Sequence, residues 1–166
     1  YEKNASIHDP TCGAGGMLVS VAEHLRKVQD VSEEHWRSVR FTGQEVNQTV
    51  HAMSEMNLAI HDVEGEIRIG DSLSNPQFTT GSAELEQFDY VLANFPFSMS
   101  KWQSDTKPRA ERFSDLDWSD SLPHGNYGDF AFIMHMASHL NEYGQMATVI
   151  PHGILFRKQI RITESM

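Results

Sequence analysis

Ser6-Ile-His-Asp-Pro-Thr-Cys-Gly-Ala-Gly-Gly16 joins a short extended run to a helical one through a turn rich in glycine. Ser6 to His8 is the extended part, and Pro10 halts it. Past Gly16, Met17, Val21, Leu25 and Val28 recur at helical spacing. A strand, a glycine turn and a helix in that order form the first half of a βαβ unit. Glycines in such a turn let a ligand come close to the backbone and accept dihedrals that other residues resist. The helix that follows begins with N–H groups that lack helical partners and carry a partial positive charge.

Outward from that turn the same alternation continues. Val39 to Gln44 reads as a second strand, and a helix from about Gln48 to His61 follows. Ile67 to Gly70 is a brief third strand and Phe88 to Ala93 a fourth. Phe130 to Leu140 reads as an apolar helix, and Met146 to Ile150 as a fifth strand closed by Pro151. The order βαβαβ(α)βαβ predicts an α/β domain with a doubly wound, mostly parallel sheet. Residues 98–127 are polar, without period, and read as a long surface loop within one domain spanning residues 1–166. Both ends of that domain look cut.

Composition narrows the function. Lysine and arginine total 13 against 23 aspartate and glutamate, a net charge of −10. A chain that grips a polyanion unaided carries a basic face, so a nucleic-acid role has to borrow positive charge from elsewhere. No apolar run reaches the roughly 20 residues of a membrane helix, and the first residues lack a signal-peptide pattern. The single cysteine, Cys12, forms no internal disulfide, which fits a reducing cytoplasm.

Three carboxylates sit where strands end. Asp9 ends the first, where a triphosphate loop carries nothing anionic, and no Gly-Lys-Ser/Thr follows; both point to a cationic ligand such as S-adenosylmethionine. Glu45 ends the second, where an acidic residue bonds ribose hydroxyls. Asp71, in Gly70-Asp-Ser-Leu73, closes the third. The competing reading is that each only caps a helix. The fourth strand ends in Asn94-Phe-Pro-Phe97. Pro96 stiffens that corner. The Asn94 side-chain oxygen and the Phe95 carbonyl can then accept from one amino group, with Phe97 placed to stack on its ring.

Asp9-Pro-Thr-Cys-Gly-Ala-Gly-Gly16 resembles the cofactor motif of amino-group DNA methyltransferases, and Asn94-Phe-Pro-Phe97 their Asn-Pro-Pro-aromatic motif. Gly43-Gln-Glu-Val-Asn47, Met56-Asn-Leu-Ala-Ile-His61 and Ile150-Pro-His-Gly-Ile-Leu-Phe156 are similar to the modification (M) subunit of type I restriction-modification systems, over about Ile7 to Arg157. The resemblance implies a Rossmann-like fold and S-adenosylmethionine-dependent methylation of adenine N6 in a flipped DNA base. It implies that Asp9, Thr11, Gly13, Gly15 and Gly16 bind the cofactor together with Glu45, Asp71 and Ser72. It makes Asn94, Phe95, Pro96 and Phe97 the catalytic corner. The implied partners are DNA, a DNA-specificity subunit and a restriction (nuclease) subunit, with no membrane. Phe95 departs from the family's first proline, and the acceptor there is a backbone carbonyl.

Other readings remain open at this point. The same corner serves protein glutamine-N5 and RNA methyltransferases, and a non-catalytic scaffold would keep the fold. His135 and His139 have a metal-capable spacing, but no His-Glu-x-x-His pattern accompanies them, and no metal is expected. Cys12 reads as a small filler rather than a nucleophile. Asp115, Asp117 and Asp120 read as a solvated run.

Overall fold

The computed structural model describes residues 4–28, 32–81, 84–99 and 128–156. The expected acidic run, most of the long loop and the segment after Phe156 lie outside these residues. Five strands, β1 (Ser6–Asp9), β2 (Arg40–Glu45), β3 (Gly65–Ile69), β4 (Phe88–Ala93) and β5 (Leu140–Thr148), form one sheet in the order β3-β2-β1-β4-β5. Every pairing is parallel, so all the carboxyl ends share one edge. The chain runs from β1 to β2 on one side and later returns to β4 on the other. The switch point therefore falls between β1 and β4, where open α/β sheets leave a crevice for ligands.

Alternation along the strands divides the core. Ile7 and Phe41 pack on one face with Leu18, Ala22 and Leu25 of α1 (Gly16–Lys27) and Leu58 of α3 (Gln48–Ile60). Val91 and Ala93 pack on the other face with Phe78, Phe95 and the Ala131, Phe132 and Met136 side chains of α4 (Gly128–Ser138). His8 shares this second face. Its ring stacks on Phe88 at 4.4 Å and lies 4.8 Å from His139. Its Nδ1 donates to Thr42 Oγ1, which in turn donates to the Ile7 carbonyl. Burial, with help from His139 and Arg40, pushes the His8 imidazole well below its usual range, so the fold keeps it neutral.

Several elements depart from expectation, among them β3, which begins two residues before the expected Ile67. A short helix, α2 (Glu33–Arg37), precedes β2; its N-cap Ser32 accepts from His35 N–H. Five residues are too few to show a period, and α2 is fixed instead by Trp36, whose ring has the Arg26 and Arg37 guanidiniums 4.1 and 4.5 Å from its centre. α4 starts and ends two residues earlier than expected; it stops at Ser138 because His139 turns toward the sheet, its carbonyl accepting from Phe88 N–H at 2.7 Å. β5 begins six residues earlier than expected. Its pairing with β4 shifts register between Phe88 and Tyr90. There Gly144 lies so close to the Phe88 carbonyl that a Cβ would approach it to 2.9 Å. Between β3 and β4 the described residues form turns and one isolated bridge, Thr79 to Leu85.

Candidate functional site

β1 delivers Asp9 to the sheet edge as its last residue, and the glycine turn begins at once. Asp9 Oδ1 accepts from Thr11 N–H at 2.9 Å. Cys12 N–H reaches the Gln44 carbonyl of β2 at 3.0 Å, extending the β1–β2 pairing past the strand. Gly13 and Gly15 take positive φ of 54° and 77°. Gly15 is the N-cap of α1 and lies against α3, where a Cβ would meet Leu58 Cδ1 at 2.7 Å. Only glycine satisfies both demands at that position. The Asn57 side-chain amide of α3 holds the Ala14 carbonyl at 2.8 Å. Gly13 and Gly16 are different, because a Cβ on either would meet nothing within 4 Å. The turn is thus packed on its inner side and open at Gly13 and Gly16.

Glu45, the last residue of β2, spans the neighbouring segments. Its Oε2 accepts from Gly13 N–H at 3.1 Å and its Oε1 from Asn47 N–H at 2.8 Å. A carboxylate oxygen has two acceptor lone pairs, so each can take one further donor from a ligand. Asn47 meanwhile caps α3, its Oδ1 accepting from Thr49 and Val50 N–H. Asp71 is half-buried, and its Oδ1 accepts from Leu73 and Ser74 N–H. Asp71 thus does cap a turn, as the competing reading held, while its Oδ2 makes neither bond. Ser72 is buried and donates its hydroxyl to the Pro10 carbonyl, strapping this turn to the end of β1. Gln44, 1% exposed, fixes the same turn from below through Asn75 and Gln77.

Electrostatics single out Asp9. Burial raises its carboxyl from 3.8 to about 7; the Thr11 N–H bond opposes the rise and the Glu45 charge adds to it. Burial likewise pushes the Cys12 thiol far up, and the thiol packs against Gly43, which suits a filler and not a nucleophile.

Across the switch point, β4 ends at Ala93 and the chain turns through Asn94-Phe-Pro-Phe97. Asn94 and Pro96 are exposed, and Phe97 keeps 44% of its surface. Phe95 is 1% exposed and stacks on Phe132 of α4, with ring centres 5.2 Å apart and planes 11° apart. The corner thus presents Asn94 and Phe97 outward while Phe95 anchors it in the core. Residue 95, where the family places proline, is held by aromatic packing. The sheet therefore places Asp9, Glu45, Asp71 and Asn94 at the ends of β1 to β4 along one edge. His135 and His139 are buried with rings 4.6 Å apart, and His139 Nδ1 donates to the Glu86 carbonyl. Among the described residues no group of three histidine, cysteine or acidic side chains is arranged to hold a metal, and no helix is long and apolar enough to cross a membrane.

Residues 1–163 match the model of a family described as N-6 DNA Methylase. The chain belongs to this N-6 DNA methylase family. The type I restriction enzyme MjaIX methylase subunit of Methanocaldococcus jannaschii is 33% identical over 155 residues, which are 92% of this chain and 26% of that protein. The MpnII methylase subunit of Mycoplasma pneumoniae is 29% identical over 160 residues, covering 92% of this chain and 28% of that protein. The type I methyltransferase subunit of Streptococcus thermophilus superposes with a TM-score of 0.74 at 28% identity, over 94% of this chain and 31% of its own. A class I S-adenosylmethionine-dependent methyltransferase of Listeria monocytogenes shares the fold, with a TM-score of 0.69 at 18% identity. The resemblance read from the motifs and the expected Rossmann-like fold are both borne out. This N-6 DNA methylase chain spans about a quarter of the length of the curated relatives it matches.

Sequence reasoning missed one polar residue beside the corner. Asp129, in the first turn of α4 and fully buried, accepts from Ser98 N–H at 2.6 Å. Its partner lies 31 positions away, and nothing in the local pattern marks it.

Proposed function

We propose that this chain is the catalytic core of a type I modification subunit, transferring a methyl group from S-adenosylmethionine to adenine N6 in DNA. The observation that carries this reading is the open glycine turn at the end of β1 facing Asn94-Phe-Pro-Phe97 at the end of β4, across the switch point of a parallel sheet. The turn fits the cofactor, since Gly13 and Gly16 leave room a Cβ would fill. Glu45 then takes the ribose hydroxyls, Asp71 and Ser72 shape the adenine end, and Asp9 with Thr11 faces the charged end. The cofactor, when bound, supplies a methyl group on a positively charged sulfur.

The chain's own residues do the rest. Phe97 stacks on the flipped base. The Asn94 side-chain oxygen and the Phe95 carbonyl accept from the two N–H groups of the target amine, which localises the nitrogen lone pair for attack. Pro96 fixes the spacing of these acceptors. Catalysis in this arrangement is positioning and electrostatic preorganisation. A net charge of −10 agrees with a chain that leaves target recognition to a separate specificity subunit, and a nuclease subunit completes the restriction complex.

The test is methyl transfer by the full-length subunit assembled with its specificity subunit, offered duplex DNA, structural RNA and a release-factor protein. N6-methyladenine in the DNA alone is expected. Product in the protein or RNA would sink the reading.

Asp9 gives this site a pH dependence. Its folded carboxyl titrates near 7 and its unfolded one near 3.8. The folded chain therefore holds a proton that the unfolded chain has already lost, and stability from this group falls as pH rises from about 4 through 7. A cationic ligand favours the ionised carboxylate. Cofactor affinity should rise between pH 6 and pH 8, and Asp9→Asn should flatten that rise while stabilising the unliganded chain at pH 8. Calorimetric titration and thermal melts at both pH values check this. An equal rise in the Asn variant would remove Asp9 from the site.

A further inference from the structure

The catalytic corner is a four-residue span, and both of its ends are tied down. Upstream, the Ala93 carbonyl accepts from the Thr148 hydroxyl at 2.8 Å and from Val149 N–H at 3.2 Å, both from the end of β5. Downstream, Ser98 N–H donates to Asp129 Oδ1 at 2.6 Å, and Gly128 N–H donates to the Met99 carbonyl at 3.3 Å. The upstream tie continues the ordinary β4–β5 pairing. The downstream tie is unusual in two respects.

Asp129 is a fully buried carboxylate, and burying one is costly unless hydrogen bonds compensate. An acid in the first turn of a helix is favoured by the helix dipole, but a surface position would supply that without the cost. Ser98 is also a non-glycine residue at φ +58°, a conformation that persists only where the surroundings impose it. The Asp129 bond falls on that residue, directly after Phe97. One turn further along the same helix, Phe132 stacks on Phe95. α4 thus holds the corner twice, by backbone through Asp129 and by side chain through Phe132. Between these two grips the Phe97 ring stands perpendicular to Phe95, at 83° and 5.9 Å, and stays half-exposed.

We propose that Asp129 is a positioning residue for methyl transfer: by accepting from Ser98 N–H it holds the exit of the corner in the left-handed conformation that aims Phe97 at the flipped base. The inference rests on the methyltransferase reading above. Asp129 touches neither substrate nor cofactor in this role, and it acts on the rate through the placement of Phe97 and of the two acceptors before it. Displacing catalytic groups by about 1 Å costs on the order of 10²-fold in rate, so loss of the clamp should lower kcat by about 10- to 100-fold. Cofactor affinity, set across the switch point by the glycine turn and Glu45, should not move.

The experiment uses the full-length subunit in its assembled complex, with kcat and KM measured on unmodified duplex DNA and flipping followed separately on a duplex that carries 2-aminopurine at the target position. Asp129→Ala should lower kcat, leave the KM for S-adenosylmethionine unchanged, and alter the emission of the flipped base. Asp129→Asn keeps an oxygen that accepts from Ser98 and should restore most of the rate. Ser98→Pro removes the same N–H from an exposed position and excludes the positive φ, so it should reproduce the Ala defect even where Asp129→Ala fails to fold. Wild-type kcat in Asp129→Ala, or in Ser98→Pro, would overturn the inference. Equal defects in Ala and Asn would also overturn it, because the charge rather than the acceptor would then matter. A wild-type complex that transfers no methyl group to adenine would instead overturn the methyltransferase reading, and this inference with it.

Discussion

Asn94→Ala should abolish most methyl transfer while leaving the protein folded and its cofactor bound. Asn94 is exposed at the end of β4, and a surface substitution away from packing or caps usually changes stability by about 0.5 kcal/mol or less. The glycine turn, Glu45 and Asp71 are held by their own hydrogen bonds, and none of these involves Asn94. The variant therefore removes one acceptor from the corner and disturbs little else. Losing one preorganised polar contact to a transition state typically costs about 10²–10³ in rate. Single-turnover transfer in the assembled complex, alongside calorimetric titration of the cofactor, separates the two quantities. A normal rate would make the corner a structural turn and end the mechanism proposed here, and a matching loss of cofactor affinity would place Asn94 in the wrong half of the site.

The part of this site legible in the sequence is the part written in contiguous residues. Asp9 to Gly16 announces a βα turn because proline and glycines punctuate it, and Glu45 is found by its distance from that turn and its place at a strand end. The strands β2 and β4 came out within a residue of their observed bounds because apolar runs and turn residues delimit them. α3, from Gln48, was legible because Asn47 is a good cap and the apolar period is sustained. What stayed hidden depends on partners remote in sequence. Asp129 looks like any helix-entry acid until Ser98 is seen against it. The start of β5 carries no alternation, because its register slips at Gly144. The role of Asp71 divides, since one oxygen caps the turn after β3, which no spacing argument could decide. Phe95 is the clearest case. As sequence it departs from an expected proline, whereas in the fold it fills a slot against Phe132.

That slot yields a large expected effect on stability. Phe95 is 1% exposed, stacked on Phe132 and packed in the cluster with Val91, Ala93 and Met136. Truncation to alanine removes the ring from both the stack and the core, and Phe→Ala at buried positions costs about 3–5 kcal/mol. A domain marginally stable by about 5–15 kcal/mol loses a large share of its margin. For a chain of this length the melting temperature should fall by about 6–20 °C. The backbone carbonyl of residue 95 survives the substitution, so the acceptor is not deleted, only loosened. Phe95→Leu, which refills much of the volume without the stack, should recover part of the stability. Thermal and denaturant unfolding of both variants measures this, and transfer rates per folded molecule show how far the carbonyl has drifted. Asn94→Ala and Phe95→Ala, neighbours in the chain, should therefore fail in opposite ways, the first in rate with stability intact and the second in stability first. If Phe95→Ala melted within about 2 °C of wild type, the ring would not be the anchor, and the corner would owe its position to Pro96, the tie of Ala93 to the end of β5 and the Asp129 clamp.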